Sequence, residues 1–160
     1  MISEVGVYWR GLYIMRCYEK VHLLEYIYSK KISTVAQVVD ESAGKFRIEF
    51  TTVEVGSYVV DVTVQGLTVP SSPLIAKAYD AAMIRVTDIQ DGHVGVLSTF
   101  RVDASRAGEG QLEISINDGD VPNAVQVLGG GKCLVTYTPE EAITHEIEVT
   151  FNDEQVSGIQ

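Results

Sequence analysis

Short runs of alternating apolar and polar residues fill most of the chain, each bounded by Gly, Asp, Asn or Pro. That is the pattern of half-buried strands joined by tight turns. It is clearest between Phe100 and Phe151. Phe100, Val102 and Ala104 mark one apolar face, and Leu112, Ile114 and Ile116 a second. Cys133, Val135 and Tyr137 mark a third, and Ile147, Val149 and Phe151 a fourth. Asp118-Gly119 turns the chain toward a further strand at 123–128. Gly129-Gly130-Gly131 then supplies a turn in which positive φ carries no Cβ penalty. Upstream, strands are predicted at 35–39, 45–50, 57–64 and 67–78, with Phe46, Ile48, Phe50, Tyr58, Val60, Val62 and Val64 inward. Pro70-Ser71-Ser72-Pro73 interrupts the last of these, as suits a bend on an edge strand. A short strand at 84–86 opens the second series.

The two series are copies of one another. Gly44-Lys45-Phe46-Arg47-Ile48-Glu49-Phe50 matches Gly131-Lys132-Cys133-Leu134-Val135-Thr136-Tyr137, an offset of 131 − 44 = 87 residues. The offset then holds without a gap. Tyr58, Val60, Val62 and Val64 fall on His145, Ile147, Val149 and Phe151, and Val69 falls on Val156. A strand-built period of this length is a repeating domain and not a solenoid turn. Strand-rich domains of nearly this size are usually immunoglobulin-like sandwiches.

Residues 1–31 carry two patterns at once. Ile14, Cys17, Val21, Leu24 and Tyr28 lie at helical spacing. Leu24-Glu25-Tyr26 also matches Leu112-Glu113-Ile114, which would make 21–28 a strand of the first repeat. Tyr8, Trp9, Tyr13, Tyr18, Tyr26 and Tyr28 enrich the segment in aromatics, read as core filling.

Two motifs carry a family resemblance. F-R-V-D at 100–103, followed by A-G-E-G-Q-L-E-I at 107–114, resembles successive strands of a filamin repeat. V-P-S-S-P-L at 69–74 resembles that family's closing V-P-G-S-P-F. The resemblance covers roughly Ser33 to Gln160. Ser71 stands for the usual Gly and Leu74 for Phe, and S-G-I-Q occupies 157–160 where the closing motif would recur. The family's A-G-x-G loop has no counterpart in the first thirty residues.

The formal charge is −10 over 160 residues. It argues against nucleic acid and against direct membrane binding, because phosphate and anionic headgroups would both repel the chain. Glu4, Arg10, Arg16, Glu19 and Lys20 break up the early apolar residues and deny a signal peptide its core. Cys17 and Cys133 are the only cysteines and read as reduced thiols of a cytosolic protein.

No catalytic chemistry assembles from the residues. Gly108-Glu109-Gly110 and the triple glycine lack a following helix pattern and read as turns. Asn117, Asp118 and Asp120 lack calcium-loop spacing. His22, His93 and His145 form no local zinc signature, and His145-Glu146 lacks a second His. Cys133 aligns with inward Phe46, which favours a buried thiol over a nucleophile. The expectation is no enzyme activity, no cofactor and no metal site.

The fold expected is all-β: a filamin-type immunoglobulin-like β-sandwich at 80–160, truncated at its last strand, preceded by a partial repeat at 32–79. Residues 1–31 are left between helix and strand. The resemblance implies a cytoplasmic, cytoskeletal role within a longer actin-cross-linking protein, since the actin-binding calponin-homology pair is absent here. It implies actin filaments as partners through that parent, and receptor tails or signalling proteins as docked ligands. Docking would proceed by β-strand addition at the groove between the strands at 112–116 and 123–128. The candidate groove residues are Glu113, Ser115 and Asn117 with Val125 and Val127, or Ala124 and Gln126 if the register is one off. Glu113 would put a carboxylate where a ligand's apolar side chain sits, making the groove a spacer or a weak site selective for basic peptides. The alternatives are a filamin-type repeat used for dimerisation in a ligase, or an extracellular immunoglobulin-like adhesion domain, which would need a signal sequence or a disulfide between its sheets.

Overall fold

The computed structural model describes residues 2–8, 12–18, 27–28, 37–42, 45–64, 67–70 and 72–158. The chain divides into two compact units, Met1–Ala78 and Tyr79–Gln160. The first carries β1 (Ile2–Tyr8), β2 (Leu12–Tyr18), β3 (Ile27–Tyr28), β4 (Gln37–Ser42), β5 (Lys45–Thr51), β6 (Gly56–Val60), β7 (Thr63–Val64), β8 (Leu67–Thr68) and β9 (Leu74–Ala78). The second carries β10 (Arg85–Thr87), β11 (Ser98–Asp103), β12 (Leu112–Ile116), β13 (Asn123–Gly129), β14 (Lys132–Tyr137), β15 (Ile147–Phe151) and β16 (Glu154–Gln155). Among the described residues the only helical pieces are two single 3-10 turns, Ala81–Met83 and Asn117–Gly119.

The two units share the order of their four-stranded sheet, and β16 of the second matches β8 of the first, while no described strand of the second matches β9. In the first, one sheet runs β1-β2-β5-β4 and another β3-β6-β9, with a small β7-β8 hairpin. In the second, the sheets run β10-β11-β14-β13 and β12-β15-β16. Among the described residues every pairing is antiparallel. The copying reaches individual hydrogen bonds. Val69 N donates to Val62 O at 3.1 Å, and 87 residues on, Val156 N donates to Val149 O at 2.9 Å.

Alternation along the strands builds the cores. In the second unit Phe100, Val102, Ile116, Cys133, Val135, Tyr137, Val149 and Phe151 are all buried. In the first, Ile48, Phe50, Tyr58, Val60 and Val62 are buried with Ala76 and Ala78 of β9. Each large side chain removed from water contributes about 1.5–3 kcal/mol, so these inward sets are the main stabilising term. Gly131 shows how closely the turns are packed. It sits at φ +76°, and a Cβ there would lie 2.8 Å from Ser105 Cα.

Three readings change in detail. The strand expected at 57–64 is broken after Val60, because Val62 leaves the ladder. Its N–H goes instead to Ser72 Oγ at 2.9 Å, and its carbonyl takes Val69 N. The strand expected at 35–39 lies at 37–42. The helical spacing in 1–31 does not produce a helix at the described positions. Ile14 and Cys17 lie on β2, whose edge is taken by β5, and Tyr28 lies on β3, paired with β6. Val21 and residues 24–26 fall outside the described residues. Backbone pairing to a neighbouring sheet overrides a five-position apolar stripe.

Candidate functional site: the cleft beside β12 and β13

β12 and β13 belong to different sheets and are edge strands of both. β12 pairs with β15 from Leu112↔Phe151 to Ile116↔Ile147. β13 pairs with β14 from Asn123↔Tyr137 to Gly129↔Lys132. Among the described residues neither strand has a partner on its other side. A cavity of about 320 Å³ opens between them, walled by Leu112 and Ile114 of β12 and by Val125 and Val127 of β13. Ala104, Gly108, Gly110, Gly131, Lys132, Cys133 and Phe151 complete its lining. Gly110 keeps one end open, because a Cβ there would come within 2.5 Å of Phe151 Cζ. Val125 is 48% exposed and Val127 78% exposed. Both would ordinarily be covered, so the cleft presents unspent apolar surface beside unpaired backbone.

Of the residues expected to form a groove, Val125 and Val127 stand together on the cavity wall, and the β13 register with them inward is the one observed. Glu113 and Ser115 do not join them. Successive side chains leave a strand on opposite faces, and with Leu112 and Ile114 packed on the core, Glu113 and Ser115 take the outer face. There Gln111 Nε2 donates to Glu113 Oε1 at 2.8 Å, and Ser115 Oγ donates to Glu148 Oε2 at 3.3 Å. Asn117 lies past the end of β12 and fastens it to the neighbouring strand. Its Oδ1 accepts Glu146 N at 2.7 Å, and its N–H donates to Glu146 O at 2.9 Å. Ala124 and Gln126 are exposed on the far side of β13. Leu112 and Ile114 were legible as inward residues. A cleft that opens between two sheets is lined by the inward faces of its edge strands, and that inference selects them.

The cleft's surroundings carry charge but no reactive constellation. Lys132 Nζ lies 3.3 Å from Asp103 Oδ2. Ser105 N donates to Asp103 Oδ1 at 3.0 Å. The Ser105 hydrogen bonds, with Lys132 behind them, hold the Asp103 carboxyl down at about 2. Burial pushes the Cys133 thiol above its ordinary range, which keeps it protonated and a poor nucleophile. His145 is half-buried, with Nδ1 3.0 Å from Ile143 O and its ring 6.1 Å from that of Tyr137. Among the described residues no group of three or more His, Cys, Asp or Glu could hold a metal ion. No helix among them is long and apolar enough to cross a membrane.

Sheet order and core define an immunoglobulin-like β-sandwich, occurring twice. A model of the Filamin/ABP280 repeat matches residues 15–75 and again residues 78–159. The chain therefore belongs to the filamin-repeat family, a non-enzymatic structural family. It is 34% identical over 122 residues to filamin-C of Rattus norvegicus and of Mus musculus, covering 69% of this chain and 4% of those proteins. It is 25% identical over 124 residues to filamin-A of Drosophila melanogaster, covering 70% of this chain and 6% of that protein. The chain thus spans only about a twentieth of the relatives it matches. Among solved structures, the Escherichia coli adhesin FdeC superposes loosely, with TM-score 0.43 and 12% identity over 92% of this chain and 56% of that one.

Proposed function

We propose that this chain serves as a spacer and protein-docking segment of a cytoskeletal, actin-cross-linking scaffold in the cytoplasm. The docking module is the second repeat, and its mechanism is strand addition. An extended peptide would pair with the free edge of β12 and lay alternate apolar side chains into the cleft against Val125 and Val127. The observation that carries this reading is the pair of exposed valines facing Leu112 and Ile114 beside an unpaired strand edge. The ligand chemistry is an extended apolar segment, such as the cytoplasmic tail of a membrane receptor or a signalling protein. Actin filaments would be engaged through the longer parent protein.

The position of Glu113 alters the expected selectivity. Its carboxylate stands on the outer face, where it need not be buried by a ligand, so the cleft is not closed to apolar peptides. Titration of the 160-residue chain with an apolar receptor-tail peptide tests this. Val127→Asp should weaken binding at least about tenfold, because an unpaired carboxylate would be desolvated in the cleft. Glu113→Ala should change it less than about twofold. Equal affinity of wild type and Val127→Asp would defeat the reading.

A further inference from the structure

Hydrogen bonding along β12 decides which of its residues face the open edge. Asn152 N donates to Gln111 O at 3.0 Å, and Asn117 N donates to Glu146 O at 2.9 Å. Both pairs continue the register that sets Glu113 opposite Thr150 and Ser115 opposite Glu148. Hydrogen-bonded and non-hydrogen-bonded pairs alternate along an antiparallel ladder. Gln111, Glu113, Ser115 and Asn117 therefore direct their backbone groups at β15, and Leu112, Ile114 and Ile116 turn theirs to the other side. Ile116 O is closed there by Val121 N at 3.2 Å. The accepting edge is thus Leu112 and Ile114. A further strand along β15 would not reach it, because β3 and β9 flank β6 on opposite sides in the first unit.

A strand added antiparallel to this edge puts its alternate residues in two environments. Those opposite Leu112 and Ile114 enter the cleft. The one opposite Glu113 stands on the outer face, in a non-hydrogen-bonded pair, where side chains approach most closely. Glu113 is exposed, and Gln111 Nε2 reaches its Oε1 at 2.8 Å. The next outward position lies across the small Ser115 from Glu148, whose Oε2 accepts Ser115 Oγ at 3.3 Å. Between Ala107 and Gln160, Lys132 is the sole Lys or Arg, and its Nζ lies 3.3 Å from Asp103. Among the described residues no cation pairs with Glu113.

We infer that the partner docked at β12 is an extended segment in which apolar and basic residues alternate, and that a Lys or Arg opposite Glu113 selects it. Docking at the β12 cleft is presupposed, and what is added is the partner's charge and register. The apolar residues lie against Val125 and Val127. The basic ones form a cross-strand charge pair with Glu113 and reach across Ser115 toward Glu148. An acidic residue at either outward position meets like charge.

Three labelled heptapeptides with alternate valines, and with lysine, serine or glutamate between them, are titrated onto the 160-residue chain by fluorescence anisotropy. The lysine peptide should bind about two- to fivefold tighter than the serine peptide at low salt, and the glutamate peptide more weakly by a similar factor. The lysine advantage should shrink at high salt. Glu113→Gln should bring the lysine peptide close to the serine peptide's affinity, and Glu113→Lys should reverse the order of the lysine and glutamate peptides. Equal binding of the lysine and serine peptides to the wild type, with Val127→Asp weakening both, would overturn the inference and leave the docking itself standing. A lysine advantage that survives Glu113→Lys would also overturn it, and would assign the preference to the overall charge of −10. Absence of saturable binding by all three peptides would defeat the docking at β12 and this selectivity with it.

Discussion

At the scale of single residues, the most telling contact near the cleft is electrostatic. Asp103 accepts from Ser105 and lies beside Lys132, and these partners lower its carboxyl from the ordinary 3.8 to about 2. A depressed folded-state value means the unfolded chain binds the proton more tightly. The contribution to stability is therefore complete above about pH 3.8 and is lost as pH falls toward about 2. A carboxyl-carbon NMR titration should place the Asp103 midpoint well below 3.8, and Asp103→Asn should flatten the stability profile across that window. A midpoint above 3.8 would count against the hydrogen bonds from Ser105. Buried apolar residues act by volume instead. Phe100 is 1% exposed and packs edge-on to Tyr137 at 6.2 Å. Phe100→Ala should cost about 3–5 kcal/mol through lost transfer energy and the cavity left behind, read as a lower denaturation midpoint at unchanged m.

Elements were legible where alternation was undisturbed and misread where geometry outside the strand decided. β11, β14 and β15 follow the inward sets given by Phe100, Cys133 and Ile147 because a two-residue period admits only one buried face. The cavity between β12 and β13 is lined by Leu112, Ile114, Val125 and Val127, whereas Glu113 and Ser115 lie off its wall. Alternation sorts the side chains of β12 into two faces, but which face meets the cavity depends on how the two sheets splay, and no alternation encodes that. The β13–β14 turn was read from its three glycines, and the structure separates their duties. Gly129, Gly130 and Gly131 all have positive φ, at 88°, 59° and 76°. Around Gly130 an added Cβ meets nothing within 4 Å, whereas at Gly131 it meets the Ser105 backbone. Gly130→Ala should therefore cost only the left-handed penalty of about 1–2 kcal/mol. Gly131→Ala should cost clearly more, because backbone atoms must move as well. Urea denaturation of the two variants would expose an error in this assignment if Gly130→Ala proved the more damaging.

For the whole molecule, the internal repeat explains why the first unit was harder to read than the second. The offset is constant from β5 to β8, but Cys17 pairs with Phe46 where Val102 pairs with Cys133, and Ile27 pairs with Val60 where Ile116 pairs with Ile147. The offset is thus 102 − 17 = 85 at β2 and 116 − 27 = 89 at β3. Four residues present in the second unit, around its A-G-E-G loop, have no counterpart in the first, and the sequence match dissolves there although the sheet order survives. Residues 1–31 supply β1, β2 and β3, and so belong to the first sandwich through backbone pairing. β2 takes the whole of β5, from Leu12↔Thr51 to Tyr18↔Lys45, and β3 takes the end of β6. A chain lacking residues 1–31 would leave β5 as a seven-residue edge directly beside buried Ile48 and Phe50. Long unpaired edges next to apolar surface template association with other chains. The 32–160 variant should therefore aggregate or lose the cooperative melting of its first unit, while amides of β11, β14 and β15 keep their native exchange protection. A soluble, monomeric 32–160 chain in which residues 45–60 retain protection would show that the first sandwich closes without its N-terminal strands.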